Sequence, residues 1–223
     1  MKKHSMKLVP NQGLNGLTSL VILPVLERTP RVAANGKFAM VSMPTAPASS
    51  IACALVIGYM TFDLVSMFIN YKNSVKASGK VTWHLYVWHH LLSMLFWPVA
   101  ILNDSFVYFV NWYIASEASS FWLAIRSAML TLKTINTPIG MIVQLGFVAS
   151  FFLSRIVVMP DLVRSLVGAD WDAVPEWQAN LAKCLVPIPC MLNAYWGVLI
   201  VMSMYKVITG KGSKGKKGGD KKS

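Results

Sequence analysis

The chain has 223 residues, of which 55% are hydrophobic and 13% charged, and carries a formal net charge of +12. So little polar surface cannot coat a globule in water, which excludes an ordinary soluble domain. The 21 Lys and Arg lie mainly at the chain ends and in short gaps between apolar runs, not on a face interleaved with aromatic residues, which excludes a nucleic-acid binder.

Residues 1–50 read as a divergent N-terminal region. Their apolar stretch Leu17 to Leu26 follows a basic start, but Pro24, Glu27 and Arg28 stand where a signal peptidase needs small residues, so cleavage is not expected. The stretch reads as a short extra span, a re-entrant piece or a surface segment.

A helix needs roughly 20 mostly apolar residues to cross a hydrocarbon core. Five later stretches have about that length: Ile51 to Tyr71, Leu85 to Leu102, Phe106 to Leu130, Ile139 to Val158 and Leu185 to Val207. They predict an all-α, polytopic transmembrane bundle over residues 51–207, with five spans, or six if Leu8 to Leu26 also crosses. The gaps are short except for Met159 to Cys184, which is net acidic and reads as a loop. The tail, 208–223, is rich in Gly and Lys and predicted to be disordered.

Cations cluster on the cytoplasmic side of membrane proteins. A cytoplasmic tail puts Lys133 and the gap holding Lys72, Lys76 and Lys80 on its own side, and puts Asp104 and the acidic loop opposite. Cys53, Cys184 and Cys190 have no metal-ligand spacing and read as small packing residues.

Ionisable groups inside a span are expensive, so they must face the bundle interior or a wet cavity. In the first span Tyr59, Asp63, Ser66 and Asn70 share one helical face, either for interhelical bonding or as a substrate or proton site. The second span carries His84, His89 and His90, with Ser93 one turn after the pair. His89 and His90 point about 100° apart, so one can meet a partner helix while the other faces a cavity. They read either as histidines bonded to carbonyls or to Asp63, or as a general base or nucleophile. No metal is expected, because the spacing is not that of a helical zinc pair and no further histidine cluster exists.

The third span holds Glu117, with Ser120 three residues on; the carboxyl is either protonated or paired with a histidine of a neighbouring helix. Arg126 falls on the other side of that helix and reads as snorkelling to the membrane edge. Arg155 shares a face with Gln144 and reads as a contact for a lipid phosphate or for an acid on another helix. Asn193 reads as an interhelical bonding group or an interface anchor.

In order along the chain, GYMTFDL at Gly58 to Leu64, WHH at Trp88 to His90 and EASSFWLAIR at Glu117 to Arg126 resemble the TLC-domain family, as do FFLSRIVVMP at Phe151 to Pro160 and LNAYWGVLI at Leu192 to Ile200. That family includes ceramide synthases and lipid-homeostasis proteins, and the likeness is closer to the general TLC-domain proteins. By resemblance, His89 and His90 match the paired histidines of the synthases, and Asp63 and Glu117 match acidic positions. The further His-Asp and Asp of the synthases are missing, since that region reads FVYFVNWY before Ile114.

The resemblance implies membrane lipids as partners, residence in the endoplasmic reticulum and a role in membrane lipid homeostasis. If the chain is an enzyme, it implies acyl transfer with acyl-CoA as co-substrate, the four residues above being catalytic. Arg155, Tyr59, Ser93 and Asn193 would then bind lipid or anion. A non-catalytic lipid-binding, cargo-receptor or regulatory protein and a proton-coupled transporter are the competing readings. Oligomeric state is left open.

Overall fold

The computed structural model describes residue 37 and residues 45–209. The proposed crossing near Leu8 to Leu26 and the expected disorder after Thr209 lie outside the described residues. Within them the chain is an all-α bundle: α1 (Pro47–Ile69), α2 (Tyr71–Ser78), α3 (Lys80–Leu102), α4 (Val107–Ser116), α5 (Ala118–Thr131) and α6 (Pro138–Phe151). A π-helical turn (Phe152–Ile156), α7 (Met159–Val167), a 3₁₀ turn (Trp171–Ala173), α8 (Glu176–Leu185) and α9 (Pro187–Ile208) complete it.

Among the described residues four helical stretches are long and apolar enough to cross a membrane: Pro47–Ile69, Lys80–Leu102, Pro138–Val167 and Glu176–Ile208. The fifth expected span, Phe106 to Leu130, is instead two consecutive helices that break at Glu117. Serine hydroxyls drive the break locally. Ser116 Oγ donates to Tyr113 O and Ser119 Oγ to Ser116 O, while the backbone tightens to i→i+3 bonds at Glu117 N to Ile114 O and Ser120 N to Glu117 O. Such competition for carbonyls bends a helix.

The expected loop Met159 to Cys184 also differs, since most of it is helical. Pro160 lies in the first turn of α7, where a missing N–H leaves nothing unpaired, and Pro187 does the same for α9. Val186 keeps helical dihedrals, so α8 and α9 run on as one long rod.

Nearly every residue of α4 is buried, so it is the central helix, packed against α1 and α3. An apolar helix without a polar face belongs inside a bundle. Outward faces of the other helices are apolar too: Phe62, Val65 and Ile69 on α1, Ile142 and Leu145 on α6, and Val198 and Val201 on α9 are exposed. An apolar belt of this size fits hydrocarbon, and the chain is an integral membrane protein.

Lys72, Lys76, Lys80, Lys133 and Lys206 gather at one end of the bundle, and Asp104, Asp161, Asp170, Asp172 and Glu176 at the other. At the acidic end Lys37 Nζ pairs with Asp170 at 3.3 Å and Asp172 at 3.1 Å, and Thr45 N donates to Asp104 Oδ1 at 2.7 Å. Of the cysteines, Cys53 is buried and Cys190 half-buried, but Cys184 is exposed and so is not a packing residue.

Candidate functional site

Helix α1 brings Tyr59 and Asp63 inward one turn apart, and α3 brings Tyr86, His89 and His90 to meet them. Glu117 enters from the break between α4 and α5, Arg155 from the π-helical turn, and Asn193 and Trp196 from α9. A π turn widens the helix by one residue and re-aims side chains, and it turns Arg155 inward, where it is 7% exposed.

Two ionic clusters result. In the first, His90 Nε2 lies 3.1 Å from Asp63 Oδ2, while His90 Nδ1 lies 2.8 Å from the carbonyl of Tyr86. The carbonyl can only accept, so Nδ1 carries a proton; His90 and Asp63 then share one proton between Nε2 and Oδ2. Both ring nitrogens of His90 are engaged.

In the second, Arg155 joins separate parts of the bundle. Its Nη2 donates to Glu117 Oε1 at 3.1 Å, its Nε to Ser119 Oγ at 2.9 Å and its Nη1 to Asn193 Oδ1 at 3.0 Å. Ser120 Oγ donates to Glu117 Oε2 at 2.9 Å. His89 Nε2 stands 3.7 Å from Glu117 Oε1, close enough for charge attraction but beyond hydrogen-bond length. Of the two partners expected for Arg155, the structure provides the acid on another helix; Glu117 likewise meets a neighbouring histidine.

Both clusters border one cavity of about 570 Å³, which Tyr59, Asp63, His89, His90, Glu117 and Arg155 all line. It continues along Leu123, Phe147, Leu199 and Val207 to the lysine-bearing end. Three residues that line it each carry a fully buried polar atom with no partner: Tyr59 OH, Asp63 Oδ1 and Trp196 Nε1. Buried polar atoms are nearly always hydrogen-bonded, so three orphans around one cavity are unusual.

Gln144 shares the cavity with Arg155, as its spacing predicts. Arg126 does not run to the membrane edge alone: it lines the cavity, its guanidinium 6.0 Å from the Phe147 ring centroid. Ser93 is buried but faces a different, smaller chamber, beside His89 and away from Glu117. Asn193 borders a narrow void next to the cavity and His84 is exposed. Among the described residues no group of three or more His, Cys, Asp or Glu could hold a metal ion.

Sequence reasoning missed Tyr86, Ser119 and Trp196. Spacing is a usable signal for two of them, since Tyr86 is four residues before His90 and Trp196 three after Asn193; Ser119, two after Glu117, would fall on the far side of a straight helix.

The sequence profile of the TLC domain matches residues 17–203. The chain belongs to the TLC-domain family. TLC domain-containing protein 4-B of Danio rerio is 28% identical over 176 residues, covering 76% of this chain and 63% of that relative, so the chain spans less than two thirds of the relative's length. No solved structure matches the chain. Both ionic clusters fall within the part that matches the TLC domain, and the match begins upstream of α1, inside the region before residue 51.

Proposed function

We propose that this TLC-domain protein acts in membrane lipid homeostasis in the endoplasmic reticulum, tail to the cytoplasm, by taking a lipid into the large cavity. One observation carries the reading: a chamber inside the bundle, polar at one end and apolar along its length, is lined by Tyr59, Asp63 and Trp196, each with a buried polar atom that has no partner. Asp63 Oδ1 accepts from a hydroxyl or amine of the guest, Trp196 Nε1 donates to a carbonyl, and alkyl chain lies along Leu123 and Leu199.

Acyl transfer is the reaction such an arrangement supports, and His89 is its base. His90 has both nitrogens engaged, whereas His89 lines the cavity and makes no hydrogen bond through Nδ1 among the described residues. An acceptor oxygen or nitrogen attacks the thioester carbonyl of an acyl-CoA, and His89 takes the acceptor's proton. The new C–O or C–N bond forms, the C–S bond breaks, and the proton passes to the leaving thiolate. The lysines at the cavity's far end suit an anionic co-substrate.

A second reading, a non-catalytic lipid-binding, cargo-receptor or regulatory protein, draws on the saturation of Glu117 by Arg155 and Ser120, which leaves its carboxylate occupied. His89→Ala and His90→Ala with lipid profiling of the host membrane separate the two. Under acyl transfer His89→Ala changes the acyl profile at normal protein level. Unchanged profiles in both variants, with lipid still co-purifying, leave binding alone.

A further inference from the structure

A second chamber, of about 90 Å³, lies on the acidic side of the bundle between α3, α4, α8 and α9. Its deep wall is apolar, with Leu92, Trp97, Leu185 and Leu192, and His89 stands at its inner end. Near its outer end are Trp177, which is exposed, and Gln178, which is 7% exposed. The Gln178 Oε1 atom is fully buried and has no hydrogen-bond partner.

That orphan needs explaining, because burying an amide oxygen unpaired is costly and natural proteins seldom do it. Gln178 belongs to the first turn of α8, where the long α8–α9 rod starts at the acidic end, so the amide lies near headgroup depth and the apolar wall lies deeper. An amphiphile entering from that leaflet meets the same gradient, polar group first and chain inward. A hydroxyl is the group that fits once the Gln178 side chain turns toward the chamber: it donates to the amide oxygen and can also accept from the amide nitrogen. No Asp, Glu, Lys or Arg lines the chamber, so an uncharged guest enters without a buried charge to compensate.

We infer that this chamber is a second lipid site, which binds an uncharged amphiphile through its hydroxyl at Gln178 and directs its chain toward His89. The site does not depend on acyl transfer. It is separate from the large cavity, which lies on the basic side; His89 lines both.

The test uses the full chain in lipid nanodiscs with two probes: a long-chain alcohol carrying a photoactivatable diazirine in its chain, and its methyl ether, which has lost the donor. On illumination the alcohol labels residues 178–192 of α8 and α9, and does so roughly tenfold more than the ether, the discrimination one buried hydrogen bond gives. Gln178→Leu brings the two probes to equal labelling, and Leu181→Trp, which fills the chamber, lowers both. Since it removes an unpartnered group, Gln178→Leu should not lower the melting temperature. Equal labelling of wild type by alcohol and ether overturns the site; so does labelling confined to the large cavity, or a chamber that takes up water only. The wild-type comparison of the two probes decides even if a variant fails to fold.

Discussion

Arg155 Nη2 and Glu117 Oε1 lie 3.1 Å apart, both side chains 7% exposed, in a pair that ties the π-helical turn to the break between α4 and α5. Removing one partner leaves the other charged and buried. Glu117→Ala and Arg155→Ala should each destabilise the protein by about 3–5 kcal/mol. The apolar double variant Glu117→Leu/Arg155→Met should lose much less than the sum of the two. Unfolding in detergent, followed by tryptophan fluorescence, measures all three; additive losses would show that the two side chains do not act on each other.

The two adjacent histidines should separate by phenotype. His90→Ala leaves Asp63 buried at 1% exposure with neither oxygen bonded, so it should lower the melting temperature markedly. His89→Ala, whose shortest approach to a carboxylate is 3.7 Å, should melt near wild type yet alter lipid handling. Melting curves beside host lipid profiles check both halves.

Helices α5 and α6 meet at Gly146, where an added Cβ would stand 2.8 Å from the Trp122 ring. Gly146→Ala should therefore cost about 1–3 kcal/mol by overpacking. Gly140→Ala should cost more, because its Cβ would collide with the backbone carbonyl of Ile135, which cannot swing aside as a side chain can. Detergent unfolding ranks the two, and a Gly140→Ala protein as stable as wild type would refute the close approach.

Outside the membrane, hydrogen bonds from Thr45 hold the Asp104 carboxyl below the usual carboxylate range. A depressed carboxyl stabilises the fold above its unfolded pKa of about 4, and that contribution is lost as pH falls through the lower folded value. The link between the start of α1 and the α3–α4 turn should thus hold at neutral pH and release only in acid. Proteolysis near residue 45 as pH is lowered reports it, and Asp104→Asn should advance the release to neutral pH.

Charge at the two ends of the bundle sets an orientation that can be read by labelling. Single cysteines replacing Lys76 and Asp172, in a background without native cysteines, should react from opposite sides of sealed vesicles. The Lys76 position should share the side of the tail. Labelling of both from one side would contradict a crossing by α4 and α5 together between these two positions.

Much of this fold is legible in the sequence because length and apolarity determine what crosses a bilayer, and those properties are local. Four of the expected spans lie within long helical stretches. The break at Glu117 is less legible: it arises from serine hydroxyls that bond backbone carbonyls, in a segment whose composition is uniformly apolar. Helicity between Met159 and Cys184 is hidden by Pro160 and by acidic residues that read as loop until their place in the first turn is known. For the site, Asp63, His89, His90 and Glu117 are conspicuous as ionisable groups inside apolar runs. Their pairing is not, because whether Asp63 meets His89 or His90 depends on the rotation of α3 against α1. Gln178 gives no signal at all, since a glutamine near a helix start is ordinary until its burial is known.

Central to the account is a lipid held inside the bundle beside His89 and Glu117. A phospholipid with a diazirine in its acyl chain, cross-linked in nanodiscs and mapped by peptide mass spectrometry, tests this most directly. Adducts on Leu123, Trp196 and Leu199 that diminish when Val148→Trp narrows the cavity are the predicted result. Adducts confined to outward positions such as Phe62, Val65 and Leu153, unaffected by that substitution, would contradict it.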